Sequence, residues 1–277
     1  MRDFFRLLPA VPAWAVLSLS INGLLFVAVL LLSRHSSPPS DRPPVLPQAN
    51  ASVVDTAAET PFEPQLGERQ QLNYQQWVSL LAQEADAIAL QQPENLAVLL
   101  GDSISLWFPL ELLPSDQTWL NQGISGETTA GLLERANLLD RTQPQVIFLM
   151  IGINDLIWGK QDAEILSNYR QLVEYLRWAH PQTQIIVQSI LPHSAEQSTW
   201  QGRDRLLVLP NSRIRELNQN LAEIAADNNA DYLNLYPLFA DTEGRLRPDL
   251  TTDGLHLNDQ GYLVWRTAIA LYGQLRE

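Results

Sequence analysis

The chain has 277 residues, 45% of them apolar, and a formal net charge of −13 from 31 acidic and 18 basic side chains. That length and apolar share suffice for a packed core in one large domain or two small ones. The charge argues against a nucleic-acid surface, which needs clustered Lys and Arg, and the absence of cysteine excludes disulfides, thiolate metal sites and a cysteine nucleophile.

In chain order, the first element is Trp14–Leu32 (WAVLSLSINGLLFVAVLLL), which carries no charge. As a helix it would span roughly 28 Å, close to the hydrocarbon core of a bilayer. We expect residues 1–32 to act as an uncleaved membrane anchor with the rest of the chain outside the cytoplasm, in a periplasm or its equivalent. The alternative is a signal peptide that is cleaved to release a secreted protein, but the small-residue cleavage pattern fits poorly around Arg34, His35 and Pro38. Residues 33–66 hold seven of the 18 prolines and a single aromatic, Phe62. This composition predicts a semi-extended, disordered linker, and places the globular domain at 67–277.

Within that domain Trp77, Leu80, Leu81 and Ile88 fall at helical spacing, which predicts a helix over 68–90 ended by Pro93. Leu96–Leu100 is apolar throughout, as a strand covered on both faces would be. A short strand is expected near Thr118–Asn121, a helix over Glu127–Leu139, and a second strongly apolar strand at Val146–Ile151. Ile165, Tyr169, Leu172 and Leu176 stripe a helix that stops at Pro181. Gln184–Leu191 reads as a strand, Ile214 to Ile224 as a helix, Tyr232–Leu235 as a strand, and Tyr262 to Tyr272 as a closing helix. Repeated strand–helix pairs imply an α/β domain with a parallel sheet and helices on both faces.

Ligands of such sheets collect beyond the carboxyl ends of the strands, and the polar segments of this chain lie there. Gly101-Asp102-Ser103 follows the first strand, Asn121–Gly126 (NQGISG) the second, and Gly152-Ile153-Asn154-Asp155 the third. Asp253-Gly254-Leu255-His256 lies in the loop before the closing helix. A serine hydroxyl needs an adjacent base to attack an ester. Of the four histidines, only His256 has an aspartate three residues earlier. Asp253 can therefore accept the Nδ1 proton of His256 and leave Nε2 facing Ser103. The developing oxyanion needs donors. The Ser103 N–H at the start of a helical turn, the Gly123 N–H and the Asn154 side-chain amide are candidates. His180 reads as a helix-end residue and His193 as a residue near the site. Asp102, Asp155, Asn121 and Ser125 read as residues that shape the loops. Trp107, Phe108, Trp119, Trp158 and Trp200 are expected mostly to pack, with a substrate-lining role open to some.

GDS at 101–103, the glycine at 123 within NQGISG, GIND at 152–155 and DGLH at 253–256 resemble the four sequence blocks of the SGNH (GDSL-type) hydrolases, in order and at the same places relative to the strands. The resemblance spans about Leu96 to Leu271. It implies a flavodoxin-like three-layer α/β/α sandwich with a five-stranded parallel sheet of order 2-1-3-4-5. It also implies Ser103 as nucleophile, His256 as base oriented by Asp253, and Ser103, Gly123 and Asn154 as the oxyanion hole. Ile104 replaces the leucine of the name-giving motif. The expected activity is hydrolysis of a carboxylic ester through an acyl-enzyme, with no cofactor and no metal. Lysophospholipids, short acyl esters and acetylated sugars are the candidate substrates. Two other classes remain as alternatives. Asp102, Asn154, Asp155, Asp253 and His256 could serve a metal-dependent phosphoesterase, although a two-metal site needs more histidines. A membrane-tethered, non-catalytic binding module is the other.

Overall fold

A computed structural model of the protein describes residues 72–274. The anchor expected at 1–32, the linker at 33–66 and the domain boundary at 67 lie outside the described residues. Among the described residues, no helix is long and apolar enough to cross a membrane.

The domain opens with α1 (Tyr74–Gln91), held at its start by a capping box in which the Asn73 side chain accepts from the Gln76 N–H and the Gln76 side chain accepts from the Asn73 N–H. It is followed by β1 (Leu96–Gly101), α2 (Ser103–Leu106), β2 (Thr118–Gly123), α3 (Thr129–Arg135) and β3 (Val146–Met150). Then come α4 (Ile153–Ile157), α5 (Asp162–Ala179), β4 (Gln184–Gln188), α6 (Arg203–Leu207), α7 (Asn211–Asp227), β5 (Asp231–Leu233), α8 (Tyr236–Phe239) and α9 (Asp259–Gln274).

The five strands form one parallel sheet of order β2-β1-β3-β4-β5, as the family resemblance implies, in a three-layer α/β sandwich. Every residue of β1 and of β3 is buried, which is why both read as unbroken apolar runs rather than alternating ones. The register levels the carboxyl edge of the sheet. Gly101 pairs with Gly123 on one side and Met150 on the other, so the residues after β1, β2 and β3 emerge side by side.

Two strands are shorter than their apolar patterns suggest. β4 ends at Gln188 because the backbone of Ile190 is taken by a side chain: its N–H donates to Asn218 Oδ1 (2.8 Å) and its carbonyl accepts from Asn218 Nδ2 (2.9 Å). β5 ends at Leu233, where the Leu235 N–H folds back onto the Leu233 carbonyl at 3.1 Å.

Candidate active site

The carboxyl ends of β1 and β3 and the loop before α9 converge on one cluster. Asp102 is the N-cap of α2, with its carboxylate accepting from the Ile104 N–H at 2.9 Å. That cap turns the chain sharply after β1 and sets the Ser103 hydroxyl at the tip. Ser103 Oγ lies 3.1 Å from His256 Nε2, and His256 Nδ1 lies 2.8 Å from Asp253 Oδ2. The second carboxylate oxygen of Asp253 accepts from the backbone N–H groups of His256 (2.8 Å) and Leu255 (3.0 Å). One aspartate thus folds its own loop and orients the ring within it. Burial raises the Asp253 pKa, but the bonds from the His256 ring and from these two amides outweigh it and hold the carboxyl below the usual range.

The ring is walled by Trp107, whose centroid lies 4.3 Å away. The loop backbone is held from outside by the segment 193–210. Ser198 Oγ and the N–H groups of Thr199 and Trp200 all donate to the Asp253 carbonyl, at 2.8, 2.8 and 2.9 Å. Gly254, at φ +90°, packs so tightly that a Cβ would lie 2.6 Å from Ser198 Cα.

The oxyanion candidates differ among themselves. Among the described residues the Ser103 N–H has no acceptor. Asn154 donates one amide hydrogen to the Glu127 carbonyl at 3.0 Å and has a second to give. Gly123 departs from expectation: its single N–H donates to Asn121 Oδ1 at 3.0 Å. The packing shows why this position is a glycine. A Cβ at 123 would lie 2.4 Å from Leu106 N and 2.8 Å from the Asp102 carbonyl, so glycine lets β2 close onto the turn that carries Ser103.

Contacts show what several residues outside the cluster do. Asp155 accepts from Thr129 N–H (2.9 Å) and Thr129 Oγ1 (2.6 Å), which ties the loop after β3 to α3. His193 is a loop fastener rather than a site group: Nε2 pairs with the Leu209 carbonyl at 2.8 Å and Nδ1 accepts from the Ala195 N–H at 3.1 Å. His180 ends α5 through its backbone N–H on the Leu176 carbonyl (2.9 Å), while its ring is buried. Phe108 packs on Tyr262 and Trp265, and Trp119 on Phe148.

Burial pushes the Asp102 carboxyl up to about 7, against the opposing bond from Ile104. The folded protein therefore holds a proton there that the unfolded chain has already lost. This contribution to stability is full below the ordinary carboxylate range and fades as pH rises through about 7. Asp102→Asn keeps the cap and removes the titration. Its melting temperature relative to wild type should rise between pH 5 and pH 8; parallel melting curves across that range would refute this role.

A parallel α/β sheet with a serine, an imidazole and a carboxylate in hydrogen-bonded sequence at its carboxyl edge defines a hydrolase class. The sequence model of the GDSL-like lipase/acylhydrolase family matches residues 99–264, more than half of the chain. The chain belongs to that family, whose general activity is ester hydrolysis. Among curated proteins it is similar to the platelet-activating factor acetylhydrolase IB subunit alpha1 of Bos taurus, 24% identical over 197 residues that cover 67% of this chain and 77% of that protein. A GDSL-like lipase from Bacteroides thetaiotaomicron shares the fold with a TM-score of 0.62 and 22% identity, covering 72% of this chain and 98% of that one. A lipase/acylhydrolase from Enterococcus faecalis does so with a TM-score of 0.52 and 24% identity, covering 66% and 96%.

Proposed function

We propose that the protein is a serine esterase that cleaves carboxylic esters through an acyl-enzyme. The observation that carries this reading is the continuous chain Ser103 Oγ···His256 Nε2 (3.1 Å) and His256 Nδ1···Asp253 Oδ2 (2.8 Å). With the Nδ1–H of His256 donating to the Asp253 carboxylate, Nε2 presents its lone pair to the hydroxyl. His256 takes the Ser103 proton as Oγ bonds to the substrate carbonyl carbon. The carbonyl electron pair moves to oxygen, where the Ser103 N–H and the second Asn154 amide hydrogen receive it. The Gly123 N–H, the third expected donor, is held by Asn121 Oδ1 at 3.0 Å. Collapse expels the alcohol, which leaves with the proton from His256. Water then repeats the sequence on the acyl-enzyme and frees the acid.

Asn154 is the side-chain donor of the set, so Asn154→Ala should lower kcat by roughly 10²–10³ with a smaller change in KM. Steady-state hydrolysis of p-nitrophenyl acetate checks this, and unchanged kcat would remove Asn154 from the oxyanion hole. Among the described residues, no group of three or more His, Asp or Glu side chains is gathered as a metal ion would require. The metal-dependent phosphoesterase reading therefore has no donor set in this region.

We also propose, from the sequence, that residues 14–32 anchor the chain in a membrane and that the hydrolase domain works outside the cytoplasm, on lipid or cell-envelope esters. The full-length protein should stay with membranes through a high-salt wash and be released by detergent. Release by salt alone would contradict an anchor.

A further inference from the structure

A trench of about 1090 Å³ runs between α1 and the edge strand β2. One wall is the face of α1 from Trp77 to Ile88, twelve residues spanning roughly 16 Å of helix axis. The other wall holds Trp119 and Leu120 of β2, with Leu106, Trp107 and Leu110 from the chain just after Ser103. Its polar side chains are Glu84, Asn121 and Ser125, and Asn121 is committed to the Ser105 and Leu106 carbonyls and to the Gly123 N–H.

Three features tie this trench to the reaction. Trp107 forms part of its wall and also packs against His256 in a tilted arrangement at 4.3 Å, so trench and catalytic cluster share one side chain. Trp107 and Leu110 stand 49% and 60% exposed, an apolar surface of the kind that marks a binding site. The volume is that of a pocket for a whole small ligand and far more than an acetyl group needs.

We propose that the trench binds a medium or long hydrocarbon chain of the ester substrate, entering past Trp107. This rests on the serine-esterase reading above. The chain could belong to the acid or to the alcohol, and the chemistry of recognition is the same. Each methylene taken into the trench strengthens binding by up to about fourfold.

The test uses the full-length chain and two substrate series: p-nitrophenyl esters from acetate to dodecanoate, and acetates of alcohols from ethanol to dodecanol. We expect kcat/KM to rise at least tenfold from the shortest member to the octyl member in one series, which identifies the side that carries the chain. Leu110→Asp and Ala87→Trp place a charge or bulk in the trench at exposed positions, and each should cut that long-to-short ratio by tenfold or more. A ratio that is flat in both series, or one that both variants leave unchanged, overturns the trench proposal while leaving the esterase reading intact. The esterase reading itself fails if no ester is cleaved faster by wild type than by Ser103→Ala. A second readout does not depend on turnover: 12-bromododecyl acetate, below its micellar concentration, should quench tryptophan fluorescence in Ser103→Ala and do so less in the Ser103→Ala/Leu110→Asp chain. Equal quenching in the two would also overturn the trench.

Discussion

Ser103→Ala should lower kcat for p-nitrophenyl acetate by roughly 10⁴–10⁶, and His256→Ala should lower it by about as much. The size follows from how the groups are joined. Among the described residues the hydroxyl has one base within reach, His256 Nε2 at 3.1 Å, and His193 has both ring nitrogens committed to backbone groups. Removing the base leaves an un-ionised alcohol, and removing the alcohol leaves a base with nothing to activate. Because the two act as a unit, the double variant should be no slower than either single one. Asp253→Asn should be milder, since an Asn oxygen can still accept the two loop amides that Asp253 now takes. Additive losses in the double variant would mean that the two residues do not serve one step.

The second large effect concerns stability. Arg135→Met should destabilise the domain by about 3–5 kcal/mol, a fall in melting temperature of roughly 6–20 °C for a domain of this size. Arg135 Nε lies 2.6 Å from Glu127 Oε2, with the two side chains only 3% and 2% exposed. Arg135 Nη2 also donates to the Gln122 carbonyl at 2.9 Å. Losing the guanidinium strands a buried carboxylate and a strand-end carbonyl, and each carries a desolvation cost without compensation. Burial already pushes the Glu127 pKa up against the opposing pull of Arg135. The Glu127 backbone carbonyl holds Asn154 at 3.0 Å, so the damage should reach activity too. Arg135→Met/Glu127→Leu should recover part of the lost stability by removing both charges. Thermal unfolding of the three variants checks this, and a change under 1 kcal/mol in Arg135→Met would show that the pair is not structural.

The sheet was legible where burial is two-sided. β1 and β3 are apolar at every position, and that run has few other readings. The ends of β4 and β5 were hidden because apolar residues continue beyond them while the hydrogen bonds do not. Asn218, on α7, replaces a neighbouring strand at Ile190, and nothing in the local sequence marks that partner. The cluster itself was readable because Ser103, Asn154 and the Asp253–His256 loop each follow or approach a strand end, and spacing alone lets Asp253 reach the ring. The Asn73–Gln76 capping box, which sets the start of α1 at Tyr74, was not read from the sequence, where apolar spacing alone predicts the helix.

Other parts were not readable. Glu127 and Arg135 look like ordinary helix-surface charges, and only the fold reveals them as a buried pair beneath the strand ends. The glycine at 123 suggested an open amide. Its tight packing on Leu106 and its bond to Asn121 depend on how far β2 closes over α2, a tertiary distance. Nothing in the sequence of the segment 193–210 marks its hold on the Asp253 carbonyl through three donors. Trp107 was one of five candidate aromatics, and only its contact with His256 sets it apart.

Covalent labelling of the full-length chain with a fluorophosphonate, followed by peptide mass mapping, tests the proposed nucleophile most directly. A single adduct on Ser103, formed at least 10³-fold more slowly in His256→Ala, is the expected result. An adduct on another residue, or a Ser103 that reacts equally fast without His256, would contradict it.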